Sequence, residues 1–330
     1  MIKRTLRILK RVFSYGREFP KNVKEFGFCA AMWLWVIYVL PSLKGPKYIA
    51  FLTKYMDKFF EPVTEQFENG SYDADLHIPD DHIKVGKSPV WVCWLQGEDN
   101  MPELVQACYK QLKKNIPEYA EIHLITMDNY SKYITLPEFV IEKFNEGKIT
   151  MIHFTDLLRS SLVYAYGGMW IDSTVWTSKK ISDDFFQRSF YAQRTTDESQ
   201  YPNEPSRARW SGFLFGGRKG NILFCYMRNS LWYYWKIHNK NIEYIILDYS
   251  ILTAYNNLPK CKKDIDAVPY NNEQMWDLIT KLNDKYDEKI YGKLIKDTTF
   301  FKLTYKMELN KYTKENEDTF YNHICDISKL

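Results

Sequence analysis

Three side chains within residues 149–178 have the types and spacing for chemistry on an anionic, hydroxyl-bearing substrate. Asp156 and Arg159 lie three positions apart, and Asp172 follows a Gly167-Gly168 pair. An arginine can neutralise a phosphate or hold a carboxylate through two parallel hydrogen bonds. Asp156, one turn earlier, can accept from sugar or ribose hydroxyls. Asp172 can bind a divalent cation, which in turn would hold a diphosphate leaving group. Alone, Asp156 and Arg159 read as a surface ion pair on a helix. With a glycine turn and a strand-ending acid beside them, the functional reading prevails.

These residues need elements to position them. Residues 150–152 suit a short strand. Residues 156–166 place Leu157, Leu158, Leu162, Val163 and Ala165 at helical spacing. The glycine pair ends that helix, because only glycine takes positive φ at no steric cost. Met169, Trp170 and Ile171 then form a buried type of strand ending at Asp172, and ligands of α/β sheets bind at such carboxyl ends.

Upstream, residues 89–95 are a near-continuous apolar run, as in a central parallel strand. A helix over 101–115, a strand over 122–126 and a helix over 136–145, with Pro137 in its first turn, follow. Downstream we expect a turn at 182–186, a strand at 190–193 and a polar, flexible lid at 194–209. A strand at 210–216 leads to the basic stretch 216–221, which is either a hairpin turn or a contact for an acceptor's phosphate. Two aromatic-rich helices (222–238 and 242–255) come next, then a polar C-terminal third with a strand within 298–305. Strands alternating with helices predict an α/β protein with a parallel, Rossmann-like sheet over residues 89–330.

The remaining sequence bounds the possibilities. At 330 residues the chain can bury one substantial core. Its formal charge of +4 is too small to argue for nucleic acid, and the excess is N-terminal: eight Lys or Arg against Glu18 and Glu25 within the first 25 residues. Residues 1–17 have the pattern of a basic amphipathic helix suited to an anionic membrane surface. The uncharged stretch 26–40 is shorter than the roughly 20 residues a spanning helix needs. It is an interfacial anchor, a marginal span or a helix buried against the following domain. With an apolar face over 48–60, residues 1–67 read as a helical, membrane-seeking region, and 68–88 as a linker in which His77 and His82 neighbour Asp80 and Asp81. Six scattered cysteines fit a reducing compartment rather than a disulfide framework. Phosphate-loop, dinucleotide, G-x-S-x-G and H-E-x-x-H motifs are all missing.

The pattern F-T-D-L-L-R-x-x-L-x-Y-x-Y-G-G-x-W-I-D-x-T, residues 154–174, resembles the capsular polysaccharide synthesis proteins, which are related to family 32 glycosyltransferases and their D-x-D-containing sugar-binding region. The resemblance implies a GT-A fold and retaining transfer from a nucleotide-diphosphate sugar, with a UDP-sugar favoured, usually aided by Mn2+ or Mg2+. It assigns donor binding to Trp94, Asp156, Arg159, Gly167, Gly168, Trp170, Asp172 and Thr174, with Trp94 against the base and Trp170 in the nucleotide pocket. Asp172 would be the catalytic, metal-binding acid. Thr174 stands where the second acid of the motif is expected and is a weaker, neutral ligand. Asp248 either steadies the oxocarbenium-like charge or the acceptor, or is a surface residue. His323 is the candidate for a late metal-binding histidine. The acceptor implied is a saccharide, lipid-linked, at the cytoplasmic face of the plasma membrane, which residues 1–60 would contact. The rival readings are a sugar-phosphate transferase and a non-catalytic scaffold.

Overall fold

The computed structural model describes residues 11, 12, 14–79, 86–201 and 203–326. Three helices come first: α1 (Phe19–Phe26), α2 (Phe28–Val39) and α3 (Pro46–Asn69). Strand β1 (Ser88–Cys93), helix α4 (Glu103–Asn115), strand β2 (Ala120–Ile125) and helices α5 (Glu138–Asn145) and α6 (Met151–Tyr166) follow. Next are β3 (Gly168–Ile171), β4 (Val175–Thr177), the single-turn helix α7 (Asp184–Gln187), β5 (Phe190–Ala192) and β6 (Leu214–Gly217). Helices α8 (Ile222–Ile237), α9 (Ile246–Asn257), α10 (Pro259–Asp266) and α11 (Glu288–Asp297), strand β7 (Phe300–Lys302) and helix α12 (Phe320–Cys325) complete the chain.

Five strands form one sheet in the order β2-β1-β3-β6-β5. β1 runs parallel to both β2 and β3, as expected of a crossover α/β arrangement. β6 is antiparallel to β3, and β5 to β6, so the sheet is mixed rather than wholly parallel. The apolar run Leu214-Phe215 announces burial on both faces, and burial carries no information about strand direction. β4 and β7 make a separate antiparallel pair in which Val175 opposes Lys302.

The strand expected at 150–152 is the start of α6. Thr150 caps that helix, its hydroxyl accepting from the His153 amide at 3.4 Å, and this outweighs the local strand preference of the trio. Residues 216–221 are no hairpin. They join β6 to α8, where the Asn221 side chain accepts from the Leu223 amide. The turn at 182–186 contains α7. The stretch expected as a flexible lid is packed: Tyr201 is buried with its hydroxyl bonded to Gln193, and Glu273 accepts from the Thr196 amide at 3.0 Å.

The N-terminal helices do not form a separate unit. Tyr48, Leu52, Met56, Phe60 and Phe67 of α3 are buried in the same apolar cluster as Trp91, Trp170 and the inner faces of α8 and α9. Residues 70–79 are strapped down as well. Arg228, fully buried on α8, donates to the Asp73 carbonyl at 2.6 Å and to that of Asp75, and Tyr164 donates to Ala74 at 2.8 Å. His77 bonds Asp73 at 2.7 Å; His82, Asp80 and Asp81 lie outside the described residues. At 12 residues, α2 is about 18 Å long. No helix among the described residues is long and apolar enough to cross a membrane.

Candidate active site

β3 ends at Ile171, and the next residue, Asp172, opens a tight turn. The Asp172 amide donates to the Phe213 carbonyl and its own carbonyl accepts from Val175, both at 2.9 Å. The chain thus reverses into β4, which leaves the Asp172 and Thr174 side chains facing a cavity of about 550 Å³ at the carboxyl ends of β1 and β3. Trp94, from the end of β1, and Tyr305, edge-on to it with centroids 5.7 Å apart, form one aromatic wall. Tyr244 and Trp276 line the cavity too, as do three cations: Arg159, Lys302 and Lys306.

The charges are closely coupled. Arg159 Nη2 lies 3.2 Å from Asp156 Oδ1 and 3.8 Å from Asp172 Oδ1, and Nη1 donates to the Gly212 carbonyl. Its guanidinium sits 5.1 Å from the centre of the Trp170 ring. Burial works against the charged form of Arg159, but Asp156 and Asp172 outweigh it and raise its pKa. Trp170 Nε1 donates to Asp172 Oδ1 at 2.9 Å. Lys302 Nζ donates to Asp172 Oδ2 and to Thr174 Oγ1, each at 2.8 Å. Burial alone would raise the Asp172 pKa; the Lys302 ammonium and the Arg159 guanidinium overcome that and hold it below the usual carboxylate value. Asp172 is therefore a fixed anion with part of its side chain, 25 %, still open to the cavity.

Arg159, Trp170, Asp172, Thr174 and Trp94 all line this one cavity. Asp156 stands behind them: its side chain is 8 % exposed, gripped by Arg159 and 3.4 Å from His153 Nδ1. It orients the guanidinium rather than offering an open acceptor. Asp248 is not a surface residue. It is buried on α9 and accepts from Trp210 Nε1 at 2.9 Å. A Cβ on Gly212 would stand 3.6 Å from Asp248 Oδ2 and 3.7 Å from Arg159 Nη1, so both side chains border that glycine. Burial, then repulsion from Glu204, pushes the Asp248 carboxyl up to about 7.

Gly167 and Gly168 lie at the other end of β3. With φ of +72° and +82°, they bring backbone against backbone. A Cβ on Gly168 would stand 2.0 Å from the Pro89 carbonyl oxygen, and one on Gly167 would stand 2.5 Å from the Lys219 amide nitrogen. His323 is on α12, stacked on Tyr286 at 3.8 Å and edge-on to Tyr291, and does not line the cavity.

Among the described residues no three His, Cys, Asp or Glu side chains are grouped to hold a metal ion. At the cavity a divalent cation would find one carboxylate and one hydroxyl, and an ammonium already bonded to both. This donor set does not fit Mn2+ or Mg2+, which want several oxygen ligands and little competing positive charge. The residue missed from sequence is Lys302. It lies 130 positions beyond Asp172, and the one local hint was a strand expected around it.

A cavity at the carboxyl ends of parallel strands, lined by aromatic rings, cations and one fixed acid, defines an α/β protein equipped for an anionic ligand. The family described as "Capsular polysaccharide synthesis protein" matches residues 44–324, and the chain belongs to that family. It is also similar to the O-glycosyltransferase braB of Annulohypoxylon truncatum, 30 % identical over 111 residues. That region is 31 % of this chain and 26 % of the fungal protein, so the match spans about a quarter of that relative.

Proposed function

We propose that the protein is a GT-A-type glycosyltransferase, moving a sugar from a nucleotide-diphosphate sugar to a lipid-linked saccharide in capsular or cell-surface polysaccharide assembly, with retention. The observation that carries the reading is the convergence of Arg159, Asp172 and Trp94 on one cavity at the carboxyl ends of β1 and β3. Trp94 offers its ring to the base of a UDP-sugar. Arg159, braced by Asp156, faces the diphosphate and stabilises the charge that grows there as the bond to the anomeric carbon breaks. Asp172 orients the cationic side chains around that leaving group. As the bond to the anomeric carbon breaks, the acceptor hydroxyl attacks from the face the nucleoside diphosphate leaves, and the departing diphosphate takes up the hydroxyl proton.

The lipid-linked acceptor and an attachment to the cytoplasmic membrane face are supported by the basic N-terminus and by α2. Phe28 (63 %), Tyr38 (45 %) and, just beyond the helix, Leu43 (50 %) are exposed apolar side chains that an interfacial helix would bury in lipid. One assay tests both parts: nucleotide-sugars are incubated with the protein, with neutral or anionic lipid vesicles, and products and protein partitioning are measured. Glycosyl transfer predicts nucleoside diphosphate release and sedimentation with anionic vesicles. Release of nucleoside monophosphate would instead establish the sugar-phosphate transferase, and no turnover of any donor the scaffold.

A further inference from the structure

A diphosphate arriving beside the Asp172 carboxylate needs positive charge between the two anions. A divalent ion held by two acids is one solution, and the residues here do not fit it. In the turn Asp172-Ser173-Thr174 the second acid is a hydroxyl, and Lys302 Nζ donates to both side chains at 2.8 Å. An ammonium is a point charge with three donors. Two are spent on Asp172 and Thr174; the third makes no hydrogen bond among the described residues, the ammonium lying 4.9 Å from the centre of the Phe213 ring. The side chain is 17 % exposed and lines the cavity, with Arg159 and Lys306 on the same walls.

The backbone fixes this placement. Lys302 opposes Val175 in the β4–β7 pair, and the Leu303 amide donates to the Thr174 carbonyl at 2.9 Å. The turn that presents Asp172 and the strand that presents Lys302 are therefore joined on both sides of the ammonium. Thr174 suits this arrangement. Two carboxylates would over-neutralise a single ammonium, whereas one carboxylate and one hydroxyl balance its charge and fill two of its donors. A metal ion bound to Asp172 would also face the repulsion of a cation already on that carboxylate.

We propose that the Lys302 ammonium, held by Asp172 and Thr174, is the cation that meets the donor's diphosphate, so that the site binds a nucleoside diphosphate without a divalent metal. This rests on the donor-site reading above. Lys302 is a binding residue here, and Asp172 and Thr174 act through it as positioning residues.

The test is calorimetric binding of UDP, GDP, ADP, CDP and the matching monophosphates to the full chain, first in EDTA and then with Mn2+ or Mg2+. We expect a diphosphate to bind in EDTA, with its affinity changed less than about threefold by either metal. Lys302→Met should weaken that diphosphate tenfold or more and the monophosphate much less, with Lys302→Arg intermediate. A residue that only supports the fold would move both ligands equally, and that result overturns the assignment. Diphosphate binding that appears only with metal and is unchanged in Lys302→Met also overturns it, while leaving the donor site standing. Failure of every nucleotide to bind under all conditions sinks the donor site and Lys302 together. Thermal unfolding of each variant checks that it is folded.

Discussion

The two ends of strand β3 are built on opposite principles. At its start, Gly167 and Gly168 let three backbone segments touch with no room for a side chain. At its end, about 13 Å away, every important contact is made by a charged or aromatic side chain around a cavity. The motif that spans them reads in sequence as one ligand-binding module. The structure divides it into a structural end and a chemical end. A glycine close to a candidate acid in the chain is thus no evidence that it touches the ligand.

This division can be broken by experiment. The largest effect is expected from Gly168→Ala, whose new methyl would collide with the Pro89 carbonyl; the loss of stability should be on the order of 4 kcal/mol or more. Its measure is the thermal unfolding midpoint, or recovery of soluble protein. An unchanged midpoint would mean the glycines are not structural. Asp172→Asn should do the reverse, lowering donor turnover by about a hundredfold while the protein stays folded, because it removes the charge that anchors Lys302 and Arg159. Unaltered donor hydrolysis would remove Asp172 from the site.

A smaller effect concerns Asp248, behind Arg159 at the chemical end. An unfolded aspartate ionises near 3.8, whereas Asp248 keeps its proton to about 7. Between those values the folded chain holds a proton that the unfolded chain has lost. Its contribution to stability therefore declines as pH rises from about 4 to about 7 and is flat above. Asp248→Asn should remove that slope, gaining about 3 kcal/mol on wild type between pH 5 and pH 8 in denaturant titrations. Parallel pH profiles for the two proteins would show that Asp248 is charged throughout.

What was legible in the sequence follows the same line between local and distant. Helix α6, the glycine break and the strand to Asp172 could be read because each is specified by neighbours within a few residues. Arg159 and Asp172 could be paired because one short connection carries the chain between them. Strand direction at β6 could not be read, since Leu214 and Phe215 are buried whichever way they run. The capping role of Thr150 hid among residues that also suit a strand. Asp248 was ambiguous for a different reason: its burial comes from the Trp210 segment, remote in the chain. Lys302 was invisible because a lysine after two phenylalanines looks like the polar end of a strand, and only the β4–β7 pairing turns it toward Asp172.

That pairing has a consequence for the order in which the protein becomes functional during synthesis. All five strands of the main sheet lie before Arg218, so the sheet can close while the last third of the chain is still on the ribosome. The ammonium arrives some 85 residues later. A chain halted before Phe300 would own a complete sheet and an Asp172 with no lysine to balance it. The charge pair is among the last parts of the site to be assembled, with Tyr305 and Lys306 following directly behind it.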